Sequence, residues 1–183
     1  MGKRHYKIQK GFTIIELLVT LTIFSIIIGA AIGIFISALK GQRKALATQE
    51  ILNQSSYTLE YIGRAIRMAV KDSTGVCISP GLNYQLTKGG KGIKFRNYQG
   101  ICQEFFLEGG QLKQSKGGVI ENLTSNNLEA TSFYPYLIGE SEADNLQPRV
   151  VISLYIKSKG QKPEEKTELK IQTTISQRNL DVQ

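Results

Sequence analysis

The feature that most constrains this chain is one long apolar stretch containing a single charge. From Phe12 to Leu39 the residues are almost all apolar, and Glu16 is the only ionisable group among them. Leu17 to Leu39 provides 23 residues with no charge at all. A helix of that length crosses a bilayer core of roughly 30 Å, so the stretch reads as a membrane helix. A carboxylate inside such a span costs about 2.5–3.5 kcal/mol at the helix centre, and less near the edge, where the side chain reaches the interface. A charge retained at that cost points to a function.

What precedes the span is short, polar and basic. Lys3, Arg4, Lys7 and Lys10 all lie before Gly11, and without them the net charge of +8 falls to +4. The remaining cations are scattered, many of them on turn segments such as Lys157, Lys159 and Lys162. The basic balance is therefore read as a solvated surface, and no nucleic-acid partner is expected. A secretory signal has an apolar region of about 7–15 residues that ends in a small-residue cleavage site. Here the apolar region is longer, and the distinctive junction comes before it. An ordinary signal-anchor accounts for the basic residues and the span but leaves Glu16 unexplained.

The run Lys10-Gly11-Phe12-Thr13-Ile14-Ile15-Glu16-Leu17-Leu18-Val19 resembles the prepilin signature of type IV pilins and type II secretion pseudopilins. In that family a membrane prepilin peptidase cuts after the glycine and methylates the new N-terminal amine. The resemblance implies cleavage between Gly11 and Phe12 and N-methylation of Phe12. It also gives Glu16 the place of the acidic residue five positions into the mature chain. Physically, Glu16 of one subunit pairs with the Phe12 amine of a neighbour, because both charges otherwise sit unpaired in a low dielectric. Removing one partner of a buried pair costs about 3–5 kcal/mol, so Glu16 is expected to align subunits during assembly. Many major pilins carry a proline within the apolar stretch. This chain has Gly29 and Gly33 instead, readable either as sites of local unwinding or as simple close packing.

Residues 40–72 contain no proline, and Leu52, Leu59, Ile62, Ile66 and Val70 recur at helical spacing. Glu60 and Arg64 form a favourable i,i+4 pair. Asp72, Ser73, Thr74 and Gly75 supply a stop signal. The expectation is one helix from about Phe12 to Lys71, apolar all round in its first half and amphipathic in its second. The alternative is two helices with a bend near Lys40 to Lys44.

Beyond Gly75 the pattern changes to strands and turns. Ile101 to Leu107, then Glu108-Gly109-Gly110-Gln111 and Leu112, reads as a hairpin. Val150, Ile152, Leu154 and Ile156 alternate with more polar residues, as do Leu169, Ile171, Thr173 and Ile175. Joined by Ser158 to Lys166, they predict a second, longer hairpin. Leu128 to Leu137 is a further strand, which Pro135 confines to an edge or an end. The fold class is α+β, a long N-terminal helix packed by a C-terminal antiparallel sheet, as in the type IV pilin fold. The expected divisions are a leader over 1–11, a transmembrane and assembly helix over 12–39, its amphipathic continuation over 40–72 and a β-rich globular domain over 73–183.

The C-terminal half is also similar to the larger minor pseudopilins, the J-type or PilW-like group. The similarity lies in Leu123 to Leu128, Pro148 to Leu154 and Thr173 to Asn179. It implies a minor, initiating or tip-proximal subunit. Cys77 and Cys102 depart from the C-terminal disulfide loop of many major pilins. Two readings stay open for them, a bridge or two buried thiols. A bridge closing a loop of about 25 residues contributes roughly 3 kcal/mol in the chain-entropy model.

No catalytic constellation is found. The only histidine is His5, in the leader, which excludes Ser-His-Asp and Cys-His arrangements from the mature chain. Gly89-Gly90-Lys91-Gly92 lacks phosphate-cradle spacing and reads as a turn. Related pseudopilins bind calcium, but Glu140, Glu142 and Asp144 lack EF-hand spacing and read as a solvated loop. No enzyme activity, cofactor or metal is expected.

The expected protein is a structural subunit of a type IV pilus or a type II secretion pseudopilus. It would sit in the inner membrane with its N-terminus cytoplasmic before cleavage and its C-terminal domain outside. The partners implied are the prepilin peptidase, the lipid bilayer, an inner-membrane assembly platform, and other pilins or pseudopilins met through the N-terminal helix. The alternative is a signal-anchored extracytoplasmic binding module that does not polymerise.

Overall fold

The computed structural model describes residues 11–140, 146–160 and 162–178. Among these residues one α-helix, α1 (Ile14–Arg67), is followed by eight strands in two antiparallel sheets. In the first sheet, β1 (Gln85–Thr87), β2 (Gly92–Arg96), β3 (Cys102–Glu108), β4 (Gln111–Lys116) and β5 (Val119–Asn122) lie in chain order. In the second, β6 (Leu128–Ile138), β7 (Arg149–Ser158) and β8 (Glu168–Ser176) do the same. The α+β class is as expected, with the difference that two sheets share the helix where one was anticipated. The chain divides into two compact units, Met1–Gln42 and Arg43–Gln183. All the packing described next belongs to the second.

Glycine pairs make the tight turns of the first sheet. Gly109 and Gly110 have φ of 61° and 71° and connect β3 to β4. Gly117 and Gly118, at 59° and 89°, connect β4 to β5. Two consecutive positive φ values match the strand twist of a two-residue hairpin, and glycine adopts them without a steric penalty. β7 and β8 pair throughout from Arg149↔Ser176 to Lys157↔Glu168. Pro135 lies in β6, an edge strand, where its missing N–H costs no ladder bond.

The helical face that enters the core keeps Ile62 and Ile66 of the expected stripe, with Leu59 packed against it, but toward the N-terminus it runs through Thr58, Ser55 and Ile51 and not through Leu52. Ile51, Ser55, Thr58, Ile62 and Ile66 are buried, whereas Leu52 is 45% exposed. Two hydroxyl residues occupy the core face because each satisfies its own oxygen. Ser55 donates to the Ile51 carbonyl at 2.6 Å, and Thr58 donates to the Leu123 carbonyl at 3.4 Å. Apolar periodicity discounts such residues, so the stripe was right at Ile62 and Ile66 and wrong at Leu52. From the first sheet Phe95 and Phe105 meet the helix side, with ring centroids 5.7 Å apart and Tyr61 edge-on to Phe105 at 6.0 Å. Phe133, Ile152, Leu154 and Ile156 of the second sheet complete the same core.

The helix ends at Arg67, four residues before the expected Lys71. Tertiary partners take its last carbonyls. The Tyr84 hydroxyl donates to the Ile66 carbonyl at 2.8 Å, and the Arg178 amide donates to the Arg67 carbonyl at 2.8 Å. Burial pushes the Tyr84 hydroxyl far above its usual range, which keeps it a donor. Val70, expected on the helical stripe, instead pairs with Arg96 in an isolated bridge. Its amide donates to the Arg96 carbonyl at 3.0 Å. The expected Glu60–Arg64 pair is present at 3.8 Å, but both side chains are well exposed and it contributes little.

The exposure of Leu52 makes a testable distinction. Ile62→Ala is expected to lower the unfolding free energy by about 2–5 kcal/mol, as large-to-small core changes do. Leu52→Ala is expected to change it by less than about 0.5 kcal/mol. Urea denaturation of the detergent-solubilised chain, followed by tyrosine fluorescence, measures both. Equal losses at the two positions would restore the Leu52 stripe.

Candidate assembly segment and the clasped loop

The functional segment begins at the helix start. Gly11 and Phe12 precede α1, and Phe12 is 76% exposed. Thr13 caps the helix: its hydroxyl accepts from the Glu16 amide at 3.3 Å, and its carbonyl accepts from the Leu17 amide at 3.2 Å. Glu16 thus occupies the third helical position, in the first turn, where the partial positive charge of the helix N-terminus favours a carboxylate. Thr13-Ile14-Ile15-Glu16 has the spacing of a capping box. Sequence reasoning treated Glu16 alone and passed over Thr13, although the T-x-x-E pattern was visible.

Every residue from Gly11 to Leu46 is exposed. The helix is long and apolar enough to cross a membrane, and its apolar window buries none of its residues against the protein. Three hydroxyls in the stretch are satisfied within the helix. Thr20, Thr22 and Ser25 donate to the carbonyls of Leu17, Val19 and Leu21 at 2.8–2.9 Å. No hydroxyl among them needs water, which suits a helix surrounded by lipid or by other helices. Side-chain carbons built at Gly29 and Gly33 would meet nothing within 4 Å. The pair is therefore an unfilled small-residue notch on an exposed helix.

A second structured feature lies just past the helix. Asp72 is fully buried and organises the loop from 72 to 82. One carboxylate oxygen accepts from the Gly75 amide at 3.0 Å and the Thr74 hydroxyl at 3.2 Å. The other accepts from the Cys77 amide at 2.6 Å and the Ile78 amide at 3.1 Å. Desolvation opposes the charged form. Hydrogen bonds from Cys77, Ile78, Val76 and Thr74 outweigh it and hold the carboxyl well below the usual aspartate range. The Asp72 amide donates to the Leu82 carbonyl, and its carbonyl accepts from the Gly81 amide. In the sequence this residue reads only as part of a stop signal. Its burial depends on Leu82, ten positions later, which no local pattern reveals.

The same loop carries Cys77, bonded to Cys102 at the start of β3 with the Cα atoms 5.2 Å apart. The bridge joins the loop after the helix to the first sheet.

Other sequence candidates separate in space. Gly89-Gly90-Lys91-Gly92 forms the turn into β2, with Lys88, Gly89 and Gly90 all at positive φ. Lys3, Arg4, His5, Lys7 and Lys10 of the leader, Glu142 and Asp144 of the acidic loop, and Asn179 lie outside the described residues. Among the described residues no group of three or more His, Cys, Asp or Glu side chains is placed to hold a metal.

Residues 6–32 match the model of the prokaryotic N-terminal methylation motif. No curated protein and no solved structure matches the chain. The motif, joined to a long apolar helix packed on antiparallel strands, supports a type IV prepilin-like protein. Such proteins are structural subunits rather than enzymes. The motif implies processing by a prepilin peptidase and pilin assembly in general, and the apolar helix is consistent with a membrane-anchored pilin.

Two outcomes test the clasped loop. A group whose folded pKa is depressed contributes stability above its unfolded pKa and loses it as pH falls. The stability advantage of wild type over Asp72→Asn is expected to be full above the ordinary aspartate value of 3.8. It should shrink as pH drops below that value. Denaturation at pH 7, 4 and 2.5 measures it, and a constant gap would remove the charge from the account. Protein purified under oxidising conditions is expected to resist thiol alkylation at Cys77 and Cys102 until reduced. Reduction should then lower its stability by about 2–4 kcal/mol.

Proposed function

We propose that the chain is a minor pilin or pseudopilin, a structural subunit of a type IV pilus or a type II secretion pseudopilus. The observation that carries this reading is the placement of Glu16. It stands in the first turn of an exposed helix, four residues after Phe12, and is followed by 23 residues without a charge. A prepilin peptidase would cut between Gly11 and Phe12 and methylate the Phe12 amine. Before cleavage the basic N-terminus would lie in the cytoplasm, in line with the preference of short cytoplasmic segments for Lys and Arg. The β-rich domain would lie on the other side of the inner membrane.

Assembly follows from the electrostatics of that segment. When an assembly platform draws the helix out of the bilayer into a filament, the methylated Phe12 amine and a Glu16 carboxylate bring opposite charges into a low-dielectric core. Pairing them between neighbours sets the axial register, since any other register leaves a charge uncompensated. The likeness of the C-terminal half to the J-type, PilW-like group supports a minor, initiating position over the bulk of a filament. The departure of Cys77 and Cys102 from the C-terminal loop of major pilins agrees with that position.

The decisive measurement is the intact mass of the membrane-extracted protein, made alongside its prepilin peptidase. The expected mass is that of Phe12–Gln183 with one added methyl group. A mass that retains residues 1–11, with the peptidase shown to be active, would leave a signal-anchored extracytoplasmic binding module that does not polymerise. In the same preparation Glu16→Ala is expected to be inserted and cleaved normally but to be depleted from sheared filaments. Normal incorporation would withdraw the register role from that carboxylate.

A further inference from the structure

The two edges of the second sheet are treated differently. β6 carries Pro135 and a register break between Ala130 and Ser132. Both are devices that discourage another strand from adding to an edge. β8 has neither. It pairs with β7 without a break over nine residues, contains no proline and, among the described residues, has no sheet neighbour on its other side.

The direction of the free groups on β8 follows from its hydrogen bonds. The Ser158 amide donates to the Thr167 carbonyl, and the Gln177 amide donates to the Pro148 carbonyl. Bonded pairs alternate in an antiparallel ladder, so residues 169, 171, 173 and 175 also face β7. The backbone groups of Lys170, Gln172, Thr174 and Ser176 therefore point away from the sheet. The next residue in that series is Arg178, whose amide donates to the Arg67 carbonyl of α1. One end of the edge is already closed onto the helix, and the rest stands open beside it.

The space beside the edge is a groove of about 520 Å³ between α1 and β8. Gly63 leaves its floor without a side chain, and Ile171 and Ile175 supply an apolar wall. Arg64 and Arg67 line the helical side. Arg64 has only the long, exposed contact to Glu60, and among the described residues Arg67 has no carboxylate within salt-bridge distance. The groove thus has an unused ladder along one wall, apolar side chains from Ile171 and Ile175 and, on the helical side, Arg64 and Arg67 against the single carboxylate of Glu60.

We infer that the β8 edge receives an extended segment of a partner protein. That segment would add as a fourth strand with alternating apolar residues facing the groove and a carboxylate facing Arg64 and Arg67. The mode is strand addition, in which main-chain bonds supply affinity and alternate side chains supply selectivity. A second copy of this chain is the weaker occupant. Two β8 edges would pair antiparallel about a two-fold axis, and β8 from Leu169 to Ser176 contains no carboxylate to offer Arg64 and Arg67 of the other copy. The inference stands on the strand edge and holds whichever filament, or none, the chain enters.

The test uses the full chain in detergent and synthetic nonapeptides of alternating valine and threonine. One pair carries two aspartates at one end, in forward and reversed sequence. A matched pair carries lysines. Amide exchange at Lys170, Gln172, Thr174 and Ser176 is expected to slow at least tenfold with an aspartate peptide and to be little changed by the lysine peptides. Gln172→Pro removes an N–H that no ladder bond uses, and it should abolish the protection while leaving the β7-facing amides protected. If that variant proves unfolded by circular dichroism, the Arg64→Glu, Arg67→Glu double variant decides, and its preference should reverse to the lysine peptides. Three results would overturn the inference: no peptide protects the edge, both charges protect it equally, or the edge is protected without peptide in proportion to protein concentration. The last would make a second copy the occupant.

Discussion

Burial of one face of α1 holds the globular unit together. Ile51, Ile62 and Ile66 meet side chains from both sheets in a single core, while the sheets form no common ladder. Neither sheet can close on itself, since each has one apolar face that must be covered. The helix covers both. Ser55 and Thr58 are admitted to that face only because their hydroxyls find carbonyl partners, a condition any buried polar group has to meet. Small side chains there also let the strands approach the helix closely, as Gly63 does beside Ile175.

Where the helix ends, satisfaction of polar groups takes over from burial. The carbonyls of Ile66 and Arg67 accept from Tyr84 and Arg178, residues far away in sequence. Asp72 gathers the amides of the following loop, and the Cys77–Cys102 bridge fastens that loop to β3. These contacts convert the end of a helix into the start of a sheet while giving its last carbonyls partners. The carboxylate stays charged in a buried place because it is surrounded by donors, which is the condition under which a lone buried charge is tolerated.

The N-terminal unit obeys the opposite rule. From Phe12 to Leu39 its side chains are exposed and mostly apolar, and the hydroxyls of Thr20, Thr22 and Ser25 are bonded within the helix. Such a surface is stable only in lipid or against other helices, which is the situation of a membrane-anchored pilin before and after assembly. One chain therefore combines a domain that completes its core by itself with a helical segment whose apolar window buries none of its residues. The open β8 edge adds a second unfinished surface, this one on the domain.

Much of this was legible in the residues themselves. The apolar span, the Gly11–Phe12 junction and Glu16 are contiguous, and contiguous chemistry is readable without a fold. The β3–β4 and β7–β8 hairpins were legible for the same reason, since alternation and a turn signal are local. The β4–β5 turn carried the same glycine pair and was overlooked, because Val119-Ile120 is too short a run to stand out. Other features were set by partners distant in sequence. The replacement of Leu52 by Ile51, Ser55 and Thr58 on the buried face, the helix end at Arg67, the burial of Asp72 and the separation into two sheets each depend on which surfaces meet. The sequence by itself determined the membrane segment, its motif and the α+β class, because these rest on near-neighbour patterns. Only the tertiary structure decided which helix face is buried, which polar groups are satisfied and which strand edge is left open, because those follow from packing between residues that no local pattern connects.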